Sequence, residues 1–176
     1  MRAANIPLIG IAGWKKSGKT TLITRLIEEF SRRGLKVASI KHAHHAFQID
    51  AAETDSARHR QAGAVTVAIV SARRWALVHE LGDAAEPSLE QVVAAMGPCD
   101  LILVEGYKSA AIPKIEARRG AQDRRRLAES DPMVIAIAAD HAADGQGRPV
   151  FSLDDIQGLA DFLADFMKTA AAAKTS

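Results

Sequence analysis

Residues 13–20 read Gly13-Trp14-Lys15-Lys16-Ser17-Gly18-Lys19-Thr20 and fit G-x-x-x-x-G-K-[ST] at every fixed position. The chemistry of that spacing is phosphate binding. Glycines let the backbone curl so that successive N–H groups point inward at phosphate oxygens. A helix that starts just after the loop presents its positive end to the same charge. Lys19 is then placed to reach the β- and γ-phosphates of a nucleoside triphosphate, and Thr20 to set its hydroxyl on Mg²⁺. The competing reading is a glycine turn with a surface lysine. The apolar, β-branched run before the loop and the helical periodicity after it argue against that.

Such a loop needs an acid near the metal. In Asp100-Leu101-Ile102-Leu103-Val104-Glu105-Gly106, four apolar residues run into a carboxylate. That is a buried strand whose Glu105 emerges at the C-terminal edge, where open α/β sheets bind ligands. Glu105 can bind Mg²⁺, directly or through water, or orient an attacking water; otherwise it is an ordinary strand-ending acid. Asp100 opens the strand at the far edge and reads as a capping residue. A second strand, 37–40, runs into Lys41-His42-Ala43-His44-His45, with Asp50 and Asp55 beyond. Three histidines suggest a metal, but the spacing is not a zinc pattern and Cys99 is the single cysteine. A polar substrate or partner surface is the favoured reading. Asp55 is equally a second Mg²⁺ acid or a helix-start acid. Asp140 follows another buried strand on the correct edge, where a carboxylate accepts guanine N1–H and N2–H₂ together. The single asparagine is Asn5, so an Asn-Lys-x-Asp guanine box is excluded. Trp14 stands where the dimer-activated ATPases carry an extra lysine.

The elements that must position these groups alternate along the chain. Strands are predicted at 6–12, 37–40, 101–104, 114–117, 133–138 and 150–152. Helices are predicted at 20–33, 54–62, 89–96 and 154–167. Thr54 or Asp55 caps the second helix, and Ser152 or Asp154 the last. Strands at 65–70 and 75–81 pair as a hairpin around 71–74 and add an antiparallel portion. The alternation predicts an α/β fold: a three-layer sandwich with a mostly parallel, mixed sheet and helices on both faces. A single P-loop nucleotide-binding domain is expected over 1–170, with 171–176 as a flexible tail. The 176 residues carry a formal charge of +2 and 48% apolar residues, enough for a core and too weakly basic to indicate nucleic acid. One cysteine forms no internal disulfide, and the apolar run at 6–12 is too short to cross a membrane. A cytoplasmic location is expected.

Taken together, these residues resemble the molybdopterin-guanine dinucleotide biosynthesis adaptor (MobB) family. The P-loop strand, Ile40-Lys41-His42-x-His44-His45, Asp55-Ser56 followed by Ala62-Gly63-Ala64, Arg74-Trp75-Ala76-Leu77, residues 100–108 and residues 134–140 match in order. The resemblance implies a P-loop GTPase-like fold, a homodimer, GTP and Mg²⁺ as ligands, and weak hydrolysis. It implies assistance to a partner nucleotidyltransferase, MobA-like, that attaches GMP to molybdopterin. By position it carries over residues 13–20 and Thr21 as phosphate and Mg²⁺ residues, Glu105 as the strand-end acid and Asp140 as a guanine contact. Lys-Pro-Gly, which members often carry before Asp-Ser, is replaced here by Ala51-Ala52-Glu53, and Ala46 stands where Asp follows the histidines.

No arginine finger is identifiable and no glutamine follows Glu105, so slow hydrolysis is expected, with Lys19 and Glu105 as its catalytic groups. A small-molecule kinase is the alternative, with the basic stretch 118–126 as a phosphate-covering lid; a solvated loop explains that stretch more simply. Nucleic-acid binding is disfavoured, because aromatic residues are 5% of the chain.

Overall fold

The computed structural model describes residues 6–43, 53–120 and 126–173. In chain order the elements are β1 (Leu8–Ala12), α1 (Lys19–Arg32), β2 (Val37–Lys41), α2 (Asp55–Gln61), β3 (Thr66–Val70), β4 (Trp75–His79), α3 (Leu89–Ala95), β5 (Leu101–Glu105), β6 (Lys114–Arg118), β7 (Val134–Ala139), β8 (Val150–Ser152) and α4 (Ile156–Ala173). A 3₁₀ turn, Leu127–Glu129, precedes β7. The chain divides into two compact units, one of residues 1–42 and 93–176, the other of residues 43–92.

The larger unit is built on a six-stranded sheet in the order β2-β5-β1-β6-β7-β8. Every pairing in it is parallel. Strands buried on both faces read as continuous apolar runs, which is why β1 and β5 were legible. On one face Ile9, Ile11, Leu101, Leu103, Ile115 and Ala138 pack with Leu22, Leu26 and Phe30 of α1 and Leu159 and Leu163 of α4. On the other, Ile102 and Val104 are fully buried, and Ile137 and Ala139 pack with Ala128 of the 3₁₀ turn. Asp100 fills its expected capping role, its Oδ2 accepting from Lys36 N at 2.7 Å. α1 ends as its sequence requires, with Gly34 at φ 89° just past the last turn. Two short-range expectations at the C-terminus need correction. α4 starts at Ile156 and runs to Ala173, past the predicted end at Met167. Its cap is neither Ser152 nor Asp154 but Asp155, whose Oδ1 accepts from Gly158 N at 3.0 Å. Among the described residues no helix is long and apolar enough to cross a membrane.

In the smaller unit α2 is capped by Thr54, whose side chain accepts from Ala57 N. β3 and β4 form the expected hairpin, closed by Ser71 N donating to Arg74 O at 2.8 Å. The antiparallel portion is a separate two-stranded sheet and leaves the six-stranded one wholly parallel. Ala68, Val70, Trp75 and Leu77 share one face of this hairpin by register. Val70, Trp75 and Leu77 on it are 75%, 68% and 56% exposed.

Candidate functional site

β1 delivers the chain to Gly13 at φ 142°. A Cβ there would strike Ala117 O and Ser17 Oγ, so only glycine lets the loop pass this close to β6. The turn closes with Ser17 N donating to Trp14 O at 3.1 Å. Lys16, at φ 66°, is a non-glycine residue held in the left-handed region, the local strain typical of a functional loop. Gly18, at φ 89°, is the N-cap of α1 and offers no side chain. No side-chain cap and no acidic residue occupies the first turn of α1, which leaves its positive end available to an outside anion. Ser17 Oγ is buried without a hydrogen-bond partner, a polar atom facing the cradle.

Lys19 folds back so that its Nζ donates to Trp14 O at 2.7 Å. Its proton affinity is lowered, chiefly by burial and further by the nearby charges of Lys108 and Lys41, against the upward pull of Glu105. Thr20 Oγ1 donates to Glu105 Oε1 at 3.0 Å. That hydrogen bond unites the two predicted metal groups, one from the start of α1 and one from the end of β5. Parallel register sets Lys41 of β2 opposite Glu105, and Lys41 Nζ lies 3.8 Å from Glu105 Oε2. A hydroxyl and a carboxylate sharing one point at a helix N-terminus fit a Mg²⁺ ion carrying phosphate oxygens, and the orphaned Ser17 hydroxyl and glycine-walled cradle fit the phosphates. Thr21 follows in the same helical turn.

Beside the P-loop lies a cleft of about 430 Å³ bounded by residues 14–17, the end of β6 with its following loop, Arg126 and residues 141–143. Its wall is cationic, with Lys15, Lys16, Arg118, Arg119 and Arg126. Asp140 does not line it. Asp140 braces the loops that do: Oδ1 accepts from Gly120 N at 2.8 Å and meets His141 Nδ1 at 2.9 Å. The bond from His141 first, then that from Gly120, holds the Asp140 carboxyl below the usual carboxylate range.

The sequence reading missed Glu116. It is 2% exposed although its side chain is acidic. Its carboxylate accepts from Arg118 Nη2 at 2.8 Å, from Leu127 N at 2.8 Å and from Ala128 N at 3.0 Å. It therefore fixes Arg118 on the cleft wall and anchors the 3₁₀ turn. The one available signal was the alternation Lys114-Ile115-Glu116, two charges on one face of a strand that must be buried. Asp55 heads α2 in the smaller unit. His44, His45, Asp50 and residues 121–125 lie outside the described residues. Among those described, no group of three metal-ligating side chains occurs.

The family model described as molybdopterin guanine dinucleotide synthesis protein B, MobB, matches residues 8–140. The molybdopterin-guanine dinucleotide biosynthesis adapter protein of Escherichia coli K12 is 39% identical over 93% of this chain and 94% of its own length. Its counterpart in Haemophilus influenzae is 36% identical over 92% and 90%. Among solved structures, a MobB homologue from Bacillus stearothermophilus superposes with TM-score 0.69 at 28% identity, over 92% of this chain and 98% of that one. A crystal structure of molybdopterin-guanine biosynthesis protein B gives 0.72 at 25% identity, over 92% and 99%. The P-loop thus sits in a chain matched along nearly its whole length, and the chain belongs to the MobB family.

Proposed function

We propose that this chain is a cytoplasmic adaptor in the conversion of molybdopterin to its guanine dinucleotide form, holding GTP and Mg²⁺ for the chemistry of a partner nucleotidyltransferase. The observation that carries the reading is the Thr20–Glu105 hydrogen bond at an uncapped, acid-free helix start. Residues 13–21 cradle the phosphates, Lys19 reaches the β- and γ-oxygens, and Thr20 and Glu105 hold the metal. Asp140 reads guanine. Hydrolysis is slow, because Gly106-Tyr107-Lys108 after Glu105 holds no glutamine to orient water. The chain works as a homodimer.

The cationic cleft supports a second reading, a small-molecule kinase whose anionic acceptor binds beside the P-loop. One experiment separates the two. The protein is incubated with Mg²⁺ and γ-labelled GTP or ATP, with and without molybdopterin. The adaptor reading expects saturable GTP binding, slow phosphate release and no labelled pterin. Stoichiometric γ-phosphate transfer selects the kinase, and turnover of several per second without a partner contradicts the adaptor.

A further inference from the structure

The loop after Glu105 contains two successive residues with positive φ, Gly106 at 93° and Tyr107 at 45°. Gly106 needs its freedom, since a Cβ would meet His42 Cβ at 2.8 Å. The chain therefore folds back sharply over the end of β2, where the Tyr107 and His42 rings stand 4.6 Å apart. The turn delivers Lys108 to the P-loop: its Nζ lies 4.6 Å from the centroid of the Trp14 ring. Trp14 is the second residue of the loop, and it is 44% exposed. Lys19 thus has the Lys108 and Lys41 ammonium groups and the Glu105 carboxylate within electrostatic range, with Lys41 Nζ 3.8 Å from Glu105 Oε2. Three ammonium groups against one acid form a surplus of positive charge that a polyanion relieves.

The position of that surplus is informative. Thr20 and Glu105 mark the end of the cradle that would hold the metal, and with it the β- and γ-phosphates of a bound triphosphate. Arg119 approaches the loop at Gly18 instead, its guanidinium 3.8 Å from where a Cβ there would lie, beside Asp140. A cation on the Trp14 side is therefore set for the terminal phosphate, not for the base. An exposed cation–π contact is much weaker than a charge-assisted pair with phosphate, so the ring is a resting place that Lys108 can leave.

We propose that Lys108, parked on the ring of Trp14, pairs with the terminal phosphate of the bound nucleoside triphosphate and makes the site distinguish triphosphate from diphosphate. Trp14 is the positioning residue. The inference rests on the nucleotide-binding reading above. Calorimetric titration of the full chain with Mg·GTP and Mg·GDP tests it, using Lys108→Met, Lys108→Arg and Trp14→Phe. The expected result is a roughly tenfold or greater loss of GTP affinity in Lys108→Met, the size of one charged hydrogen bond. GDP affinity stays within about twofold, because Lys108 makes no contact to a diphosphate. Lys108→Arg restores most of the loss, and Trp14→Phe, which keeps a π-face, loses less than Lys108→Met. Unchanged GTP affinity in Lys108→Met, or equal losses for GTP and GDP, overturns the role of Lys108 while leaving the P-loop reading intact. Failure of the unaltered protein to bind either nucleotide overturns both.

Discussion

Replacing Asp140 by Asn exchanges one carboxylate oxygen for an amide while keeping an acceptor for Gly120. In the structure Oδ1 accepts from Gly120 N at 2.8 Å and meets His141 Nδ1 at 2.9 Å. Oδ2 has the Arg119 guanidinium 3.8 Å away. The carboxyl is held below the usual carboxylate range by His141 and then by Gly120, so it is ionised at neutral pH and able to accept from guanine N1–H and N2–H₂. Its side chain is 38% exposed, which places each charged hydrogen bond at the low end of its range, roughly tenfold in affinity. Asp140→Asn should therefore weaken Mg·GTP roughly ten- to a hundredfold and leave Mg·ATP within about twofold, since adenine offers no such pair of N–H groups. Inosine triphosphate, which lacks the 2-amino group, should start between the two and fall toward ATP. Calorimetric titration with the three nucleotides gives these numbers, and thermal melting of the unliganded variant controls for loss of the loop brace. Equal weakening of GTP and ATP refutes base reading and leaves Asp140 as a brace alone; unchanged GTP affinity refutes it as well.

Gly13→Ala places a methyl group on Ala117 O at φ 142°; it should cost roughly 1–3 kcal/mol of stability and abolish nucleotide binding, read by urea unfolding and titration, and a variant that binds normally contradicts the cradle geometry. Hydrogen bonds from Arg32 and Arg33 hold Glu29 at about 2, below the ordinary 4.5. A carboxylate depressed on folding adds stability above about pH 4.5 that is lost as pH falls toward about 2, so urea midpoints of Glu29→Gln should vary less with pH across that window than those of the unaltered protein.

What was legible in the sequence is what one turn of backbone determines. Gly13 and Gly18 must be glycine because each takes a positive φ, and Gly13 also because β6 lies against it. Glu105 was legible for a related reason: a run of buried residues ending in an acid fixes which edge of a parallel sheet that acid reaches. The hairpin at 66–79 announced itself through two short runs and a polar turn. Glu116 was not legible, although it is as buried as the core. Its meaning depends on Arg118 two residues on and on the 3₁₀ turn at Leu127–Glu129, and nothing local says that those amides return to β6. Lys114 is the same case, paired with Asp131 at 2.9 Å across a stretch of chain that the strand pattern does not encode. Asp140 falls between: its strand edge was readable, but its bonds to Gly120 and His141, and hence its bracing of the cleft loops, depend on how the loops after β6 and β7 meet. The pairing of Trp14 with Lys108 is likewise set by a fold-back at Gly106 and Tyr107, not by spacing. The backbone shape of residues 13–20 is therefore readable from sequence, whereas the groups proposed for the base and the terminal phosphate depend on tertiary placement. Under the proposed function, discrimination between nucleotides belongs to that second set, so it is tested at Asp140 and Lys108 and not at the P-loop glycines.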